Sequence, residues 1–146
     1  MKNHMRIEFS SISQNESLAR LAVASFISPL NPSMDELTDI KTVVSEAVTN
    51  AIIHGYEENP EEKVILECSI NDDQIEIIIK DNGVGIEDIE EAREPLYTSK
   101  PDWERSGMGF TIMENFMDQV DVKSAKDEGT IITLAKQLTS TKAIYN

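Results

Sequence analysis

The chain has a single cysteine, Cys68, in 146 residues. An internal disulfide and a cysteine metal cluster are both excluded. Cys68 alternates with Val64, Leu66 and Ile70, so it reads as a small buried hydrophobe. Positive charge is scarce as well: 13 Lys and Arg stand against 27 Asp and Glu, a net charge of −14. A protein that binds a polyanion must neutralise phosphates with cations, so direct DNA binding is not expected. No apolar run approaches the about 20 residues of a membrane-spanning helix. The start lacks a charged segment followed by an apolar one, and a cytosolic protein without membrane contact is expected. Histidine is limited to His4 and His54.

What is present alternates between strand and helix patterns, without repeats or low-complexity segments. The length and 40% apolar content suit one domain over residues 1–146 with a core of its own. Arg6 to Ser10 reads as a short strand with Ile7 and Phe9 on one side. Ser13 and Glu16 have the spacing of a capping box, opening a helix to about Ile27 that Pro29 and Pro32 stop. Ser33 and Glu36 repeat the box and open a longer helix whose stripe is Ile40, Val43, Val44, Ala47, Val48 and Ala51. Gly55 stands where a helix terminator is expected. Val64 to Ile70 and Ile75 to Ile79 alternate as two strands about a turn at Asn71-Asp72-Asp73. A short acidic helix near Glu87 to Glu94, a helix from Gly109 to about Asp118, and strands near Val120 to Ser124 and Ile131 to Leu138 complete the order. The expected fold is α+β: a two-layer α/β sandwich with a mixed, mostly antiparallel sheet covered by helices on one face.

Three stretches carry chemistry. Glu46, Asn50 and His54 fall within an arc of about 80° on the second helix, bordering its apolar stripe. Such residues sit at a pocket rim. A carboxylate there can accept a nucleophile's proton in phosphoryl transfer, and a side-chain amide oxygen suits a hard Mg²⁺ that also holds phosphates. His54 is read as a helix-end residue outside the active site. Asp81 follows three isoleucines, so its carboxylate emerges from a buried strand where it can accept a hydrogen bond from an adenine amino group. Gly83 and Gly85 then allow positive φ and close backbone approach, as needed where a base slides past the main chain. Gly107-Met-Gly109 at a helix start offers unhindered amides and the positive end of a helix dipole to phosphate. Each stretch alone has a plainer reading, as a solvated helix face, a turn or a loop; their combination points to ATP or ADP with Mg²⁺.

In order and content these stretches resemble the N, G1 and G2 boxes of the ATPase/kinase superfamily that unites DNA gyrase, Hsp90, bacterial histidine kinases and MutL. The segment at about 94–108 resembles its ATP lid, with Thr98, Lys100, Arg105, Ser106 and Gly107 toward the nucleotide. Lys100 and Arg105 would offset the acidic background. Gly129-Thr130 resembles the superfamily element in which a threonine hydroxyl supports the adenine-binding carboxylate. Ser45 to Gly55 and Arg105 to Asn115 resemble the anti-sigma kinase branch, and the whole chain resembles the anti-sigma-F family of endospore-forming bacteria. That resemblance implies a homodimeric serine kinase. It would silence a sporulation sigma factor and use ATP to phosphorylate a serine of an anti-anti-sigma factor.

Rival readings are a stress-response anti-sigma kinase with the same mechanism and a nucleotide-gated binding module without catalysis. Retention of Glu46 argues against the second, because a pure binder needs no base. A histidine kinase needs a phosphoacceptor hairpin that the chain has no segment to supply. A partner surface is expected on the first helix, where Leu18, Leu21, Ala22 and Phe26 face the sheet and Val23, Ala24 and Ile27 surround an outward Arg20. Arg20 would meet an acidic group of a partner.

Overall fold

The computed structural model describes residues 1–94 and 109–139. Five strands, β1 (Lys2–Ser10), β2 (Lys63–Asn71), β3 (Gln74–Asp81), β4 (Gln119–Ala125) and β5 (Gly129–Gln137), form one sheet in the order β1-β2-β3-β5-β4. The sheet, expected to be mostly antiparallel, is antiparallel in each of its four pairings. The reason is local. Tight turns join β2 to β3 and β4 to β5, with Asp72 and Asp127 in the left-handed region at φ 56° and 64°. Alternation aims Val64, Leu66, Cys68 and Ile70 of β2, and Ile75, Ile77 and Ile79 of β3, into the core. Full burial of side chains of this size is worth about 1.5–3 kcal/mol each.

Helices α1 (Asn15–Ile27), α2 (Met34–Thr49) and α4 (Gly109–Phe116) make the second layer, with α2 packed against both of the others. A four-residue α3 (Ile89–Ala92) is capped by the Asp88 carboxylate, which accepts the Glu91 N–H at 3.0 Å. The capping box of α2 forms as expected: Ser33 Oγ accepts the Glu36 N–H at 3.1 Å, and the Glu36 carboxylate accepts the Ser33 N–H at 3.0 Å. Its apolar stripe is buried throughout.

The start and the facing of α1 differ from expectation. Gln14 is its N-cap and makes no side-chain cap bond. Ser13 donates its hydroxyl to Glu58, and Glu16 is taken up by Arg20 and Thr49, so neither is left for a capping box. The buried stripe is Ala19, Val23 and Ile27, while Leu18 and Leu21 are 51% and 63% exposed. Both sides of α1 are apolar enough to pack, and contact with α2 and β2 selects the slimmer one, which permits closer approach. Val23 and Ile27 are therefore core residues, not the surround of an exposed arginine.

Beyond Thr49 the second helix widens into a π-helix, Asn50–Gly55. The Tyr56 N–H reaches back to Ala51 O at 3.0 Å, an i→i+5 bond. The 100° step behind the expected arc therefore stops applying at Asn50.

Candidate nucleotide site

Asp81 occupies the inward position that follows Ile75, Ile77 and Ile79 on β3, and only 3% of it is exposed. Its Oδ1 accepts the Gly83 N–H at 2.9 Å. Thr130 stands opposite it in the β3–β5 register. Burial pushes the Asp81 carboxyl up to about 6, and hydrogen bonds from the Gly83 and Thr130 backbone hold back part of that rise. The Thr130 backbone bonds to the Asp81 carboxylate, and the Thr130 hydroxyl lies 2.8 Å from Ser124 Oγ. A buried acceptor aimed from a strand end suits a polar hydrogen on a flat ligand, because leaving either group unpaired is costly.

The loop after Asp81 is held from two directions. From the helical layer, Gly83 approaches Gly55 so closely that a Cβ on Gly83 would stand 2.0 Å from Gly55 O. From the hairpin of β4 and β5, Ser124 Oγ accepts the Ile86 N–H at 2.7 Å, and Asp127 donates its N–H to Val84 O at 2.6 Å. Gly85 has φ 76°, and a side chain there would also run into Ala125 O at 1.9 Å. The two glycines named from sequence are both required, Gly83 by close approach and Gly85 by both constraints.

Glu46 and Asn50 lie half-buried on α2 and at its end. Glu46 lines a groove of about 320 Å³ between α1 and α2 with Arg20, Lys41 and Ser45. Glu46 stands one α-helical turn before Asn50, roughly 6 Å along the axis, and the π-turn then carries the chain on to Gly55, which touches Asp81. Gly109 opens α4, which packs on α2. Thr98, Lys100, Arg105, Ser106 and Gly107 lie outside the described residues.

Comparison with known proteins identifies the family of this fold. The sequence matches the histidine kinase-like ATPase domain over residues 9–136. It is 65% identical to the anti-sigma F factor of Oceanobacillus iheyensis and 62% identical to that of Bacillus subtilis, over the full length of each chain. The chain belongs to the anti-sigma F factor family. Among solved structures it resembles the RsbU and RsbW domains of Rv1364c from Mycobacterium tuberculosis, with a TM-score of 0.66 and 15% identity over 93% of this chain and 32% of that one. At that identity the likeness concerns the fold alone.

A domain of this family binds nucleotide, and its residues here fit one. The Asp81 carboxylate is a desolvated acceptor, and the Asn50 amide is one neutral oxygen near the Glu46 carboxylate. Among the described residues no three His, Cys, Asp or Glu converge to hold a metal. A Mg²⁺ beside Asn50 would therefore take most of its ligands from phosphate and water, as that ion commonly does. Sequence reasoning passed over Ser124 and Tyr56, and it read Gly55 only as a helix stop. The Tyr56 hydroxyl accepts the Asn82 N–H at 2.5 Å. Nothing local in the sequence marks the contacts that hold the loop, because Tyr56 meets Asn82, 26 residues further on, and Ser124 meets Ile86, 38 residues back.

Proposed function

We propose that the chain is an anti-sigma factor and an ATP-dependent protein serine kinase. It binds and inhibits a sporulation sigma factor, and with Mg-ATP it phosphorylates a serine of an anti-anti-sigma factor. Asp81 accepts the adenine amino group, with Gly83, Gly85 and Thr130 shaping the wall beside it. Asn50 holds Mg²⁺ through its amide oxygen. Thr98, Lys100, Arg105, Ser106, Gly107 and Gly109 cradle the phosphates, and their cations and amides neutralise charge as it develops. Glu46 takes the proton of the attacking serine hydroxyl. Arg20 contributes to partner binding, and the active form is a homodimer in the cytosol.

The buried Asp81 carboxylate carries this reading. It sits at the end of β3 and against the end of the helix that bears Glu46 and Asn50, so one ligand can reach base acceptor, metal ligand and general base in turn. Full-length similarity to anti-sigma F factors supports the choice of partners. The experiment is incubation with labelled ATP, Mg²⁺ and a candidate anti-anti-sigma protein, then location of the label. Phosphoserine on that protein is expected. Free phosphate with no labelled protein would favour a plain ATPase, and unchanged ATP would favour a nucleotide-gated binder.

A further inference from the structure

The helix that carries Glu46 and Asn50 ends in the π-turn, and that turn touches the strand end that carries Asp81. Three contacts make the junction. Gly55 lies flat against the carboxylate: a Cβ there would stand 2.7 Å from Asp81 Cγ and Oδ1 and 2.9 Å from Oδ2. The Gly55 carbonyl accepts the Val84 N–H at 3.0 Å. The Tyr56 hydroxyl accepts the Asn82 N–H at 2.5 Å, with the residue only 7% exposed. The amides on both sides of Gly83 are thus held by two consecutive residues of the helical layer, while Gly83 itself donates to Asp81.

Plainer roles for both residues fail on particulars. A glycine that merely stops a helix adopts a left-handed φ. Gly85 and Gly129 are the described glycines with positive φ, so Gly55 is required for space and not for conformation. Asp81 cannot simply step aside for a larger residue, because it is buried and bonded to Gly83. A tyrosine that only fills core could be phenylalanine. Here the desolvated hydroxyl is spent on one backbone amide beside the carboxylate. The wide turn is what delivers both contacts: Tyr56 N–H bonds back to Ala51 O at 3.0 Å and Glu58 N–H to Ile52 O at 2.8 Å. Such turns recur at functional sites.

We propose that Gly55 and Tyr56 are positioning residues for base recognition, which fix the direction of the Asp81 carboxylate and tie it to the helix that carries Glu46 and Asn50. The proposal rests on the reading of Asp81 as the acceptor for the adenine amino group. The phenol presses the loop into place through Asn82, and Gly55 gives the carboxylate a flat floor. Either change would tilt the acceptor away from the amino hydrogen while leaving the phosphate end intact.

The test compares affinities of the full chain for ATP and for inosine triphosphate, whose base carries a carbonyl where adenine has its amino group. Asp81→Ala is measured first and is expected to collapse the ATP-over-inosine-triphosphate ratio. If the ratio survives, the base reading fails, and the proposal falls with it. With the ratio collapsed in Asp81→Ala, Tyr56→Phe is expected to lower it by about two- to tenfold, the range of one lost hydrogen bond. Gly55→Ala should lower it further. Loss of folded protein reduces both affinities together and leaves the ratio alone, so a merely structural role does not mimic the result. Parental ratios in Tyr56→Phe and Gly55→Ala, beside a collapsed one in Asp81→Ala, overturn the proposal while sparing the base reading. Should Gly55→Ala fail to fold, Tyr56→Phe decides.

Discussion

The two ends of the candidate site are built from different materials. Around Asp81 the structure is backbone: amides of Gly83 and Thr130 on the carboxylate, carbonyls of Gly55 and Asp81 within clash distance of any Cβ at Gly83 or Gly129. Around Glu46 it is side chain: Arg20 donates to Glu16 at 3.1 Å and to Ser45 at 3.0 Å, and Thr49 donates to the other Glu16 oxygen at 2.9 Å. Backbone fixes a direction and tolerates little. A side-chain network can be rearranged by whatever docks on it. On the proposed reading, the Asp81 end is thus suited to constant recognition of one ligand, and the groove end to exchange between protein partners.

The largest effect that separates the ends should come from Glu46→Gln. The amide keeps the shape but cannot take the serine proton, so phosphoryl transfer should fall by about 10²- to 10⁴-fold with ATP affinity unchanged. Single-turnover transfer measured beside equilibrium ATP binding decides it. A loss below about threefold would remove Glu46 from the role of base.

At the other end, Asp81 should carry a cost in the unliganded protein. Burial raises its carboxyl from 3.8 to about 6. The folded state therefore holds the proton more tightly than the unfolded chain. That contribution to stability is complete below about pH 3.8 and disappears as pH rises through about 6, to the extent of about 3 kcal/mol. Asp81→Asn has no such titration. Its stability by urea unfolding, relative to the parent, should rise between pH 4 and pH 7 by up to that amount, and parallel pH profiles would contradict the buried-carboxylate account. The same protein should bind ATP more weakly, so stability and recognition would move in opposite directions.

How much of this was legible in sequence follows the same division. The α2 stripe and its capping box were readable because both depend on residues three or four apart, and Asp81 because three alternating isoleucines put it in phase with the core. The facing of α1 was not, since Leu18 with Leu21 and Val23 with Ile27 offer two apolar stripes and only contact with α2 and β2 chooses between them. The box at Ser13 failed because Glu58, Arg20 and Thr49 compete for its two side chains from elsewhere in the fold. The π-turn breaks the period on which the arc of Glu46, Asn50 and His54 depends. The demand for glycine at position 55 comes from a carboxylate 26 residues further on, which no local pattern records.

Asp81→Ala should weaken ATP binding by about 1–3 kcal/mol, the cost of leaving a polar group without its charged acceptor. Affinity for GTP should change far less, because guanine presents no amino group at that place. The ratio of the two affinities is the measurement, and a parental preference for ATP would mean that the base is read elsewhere. An equal loss of both nucleotides would instead mark Asp81 as a structural support of the loop.

The smallest effect tests whether the groove end is separable from the nucleotide end at all. Arg20 is half-buried against Glu16, Ser17 and Ser45, so an acidic group of a partner must share it with Glu16 or displace it. Sharing suits the groove, because Glu16 keeps its bond from Thr49 when Arg20 turns toward another carboxylate. Arg20→Ala removes that cation, and arginine is enriched among the few contact residues whose truncation costs about 2 kcal/mol or more, so partner affinity should fall by at least about tenfold. Arg20→Lys keeps the charge but not the fork of donors that reaches Glu16 and Ser45 together, and should recover only part of the loss. ATP affinity should stay at the parental value in both variants, since none of the Arg20 contacts reaches Asp81. Titration of the folded variants with each protein partner and with ATP settles the matter: undiminished partner binding removes Arg20 from the interface, and a matching loss of ATP affinity would show that the two ends act as one unit.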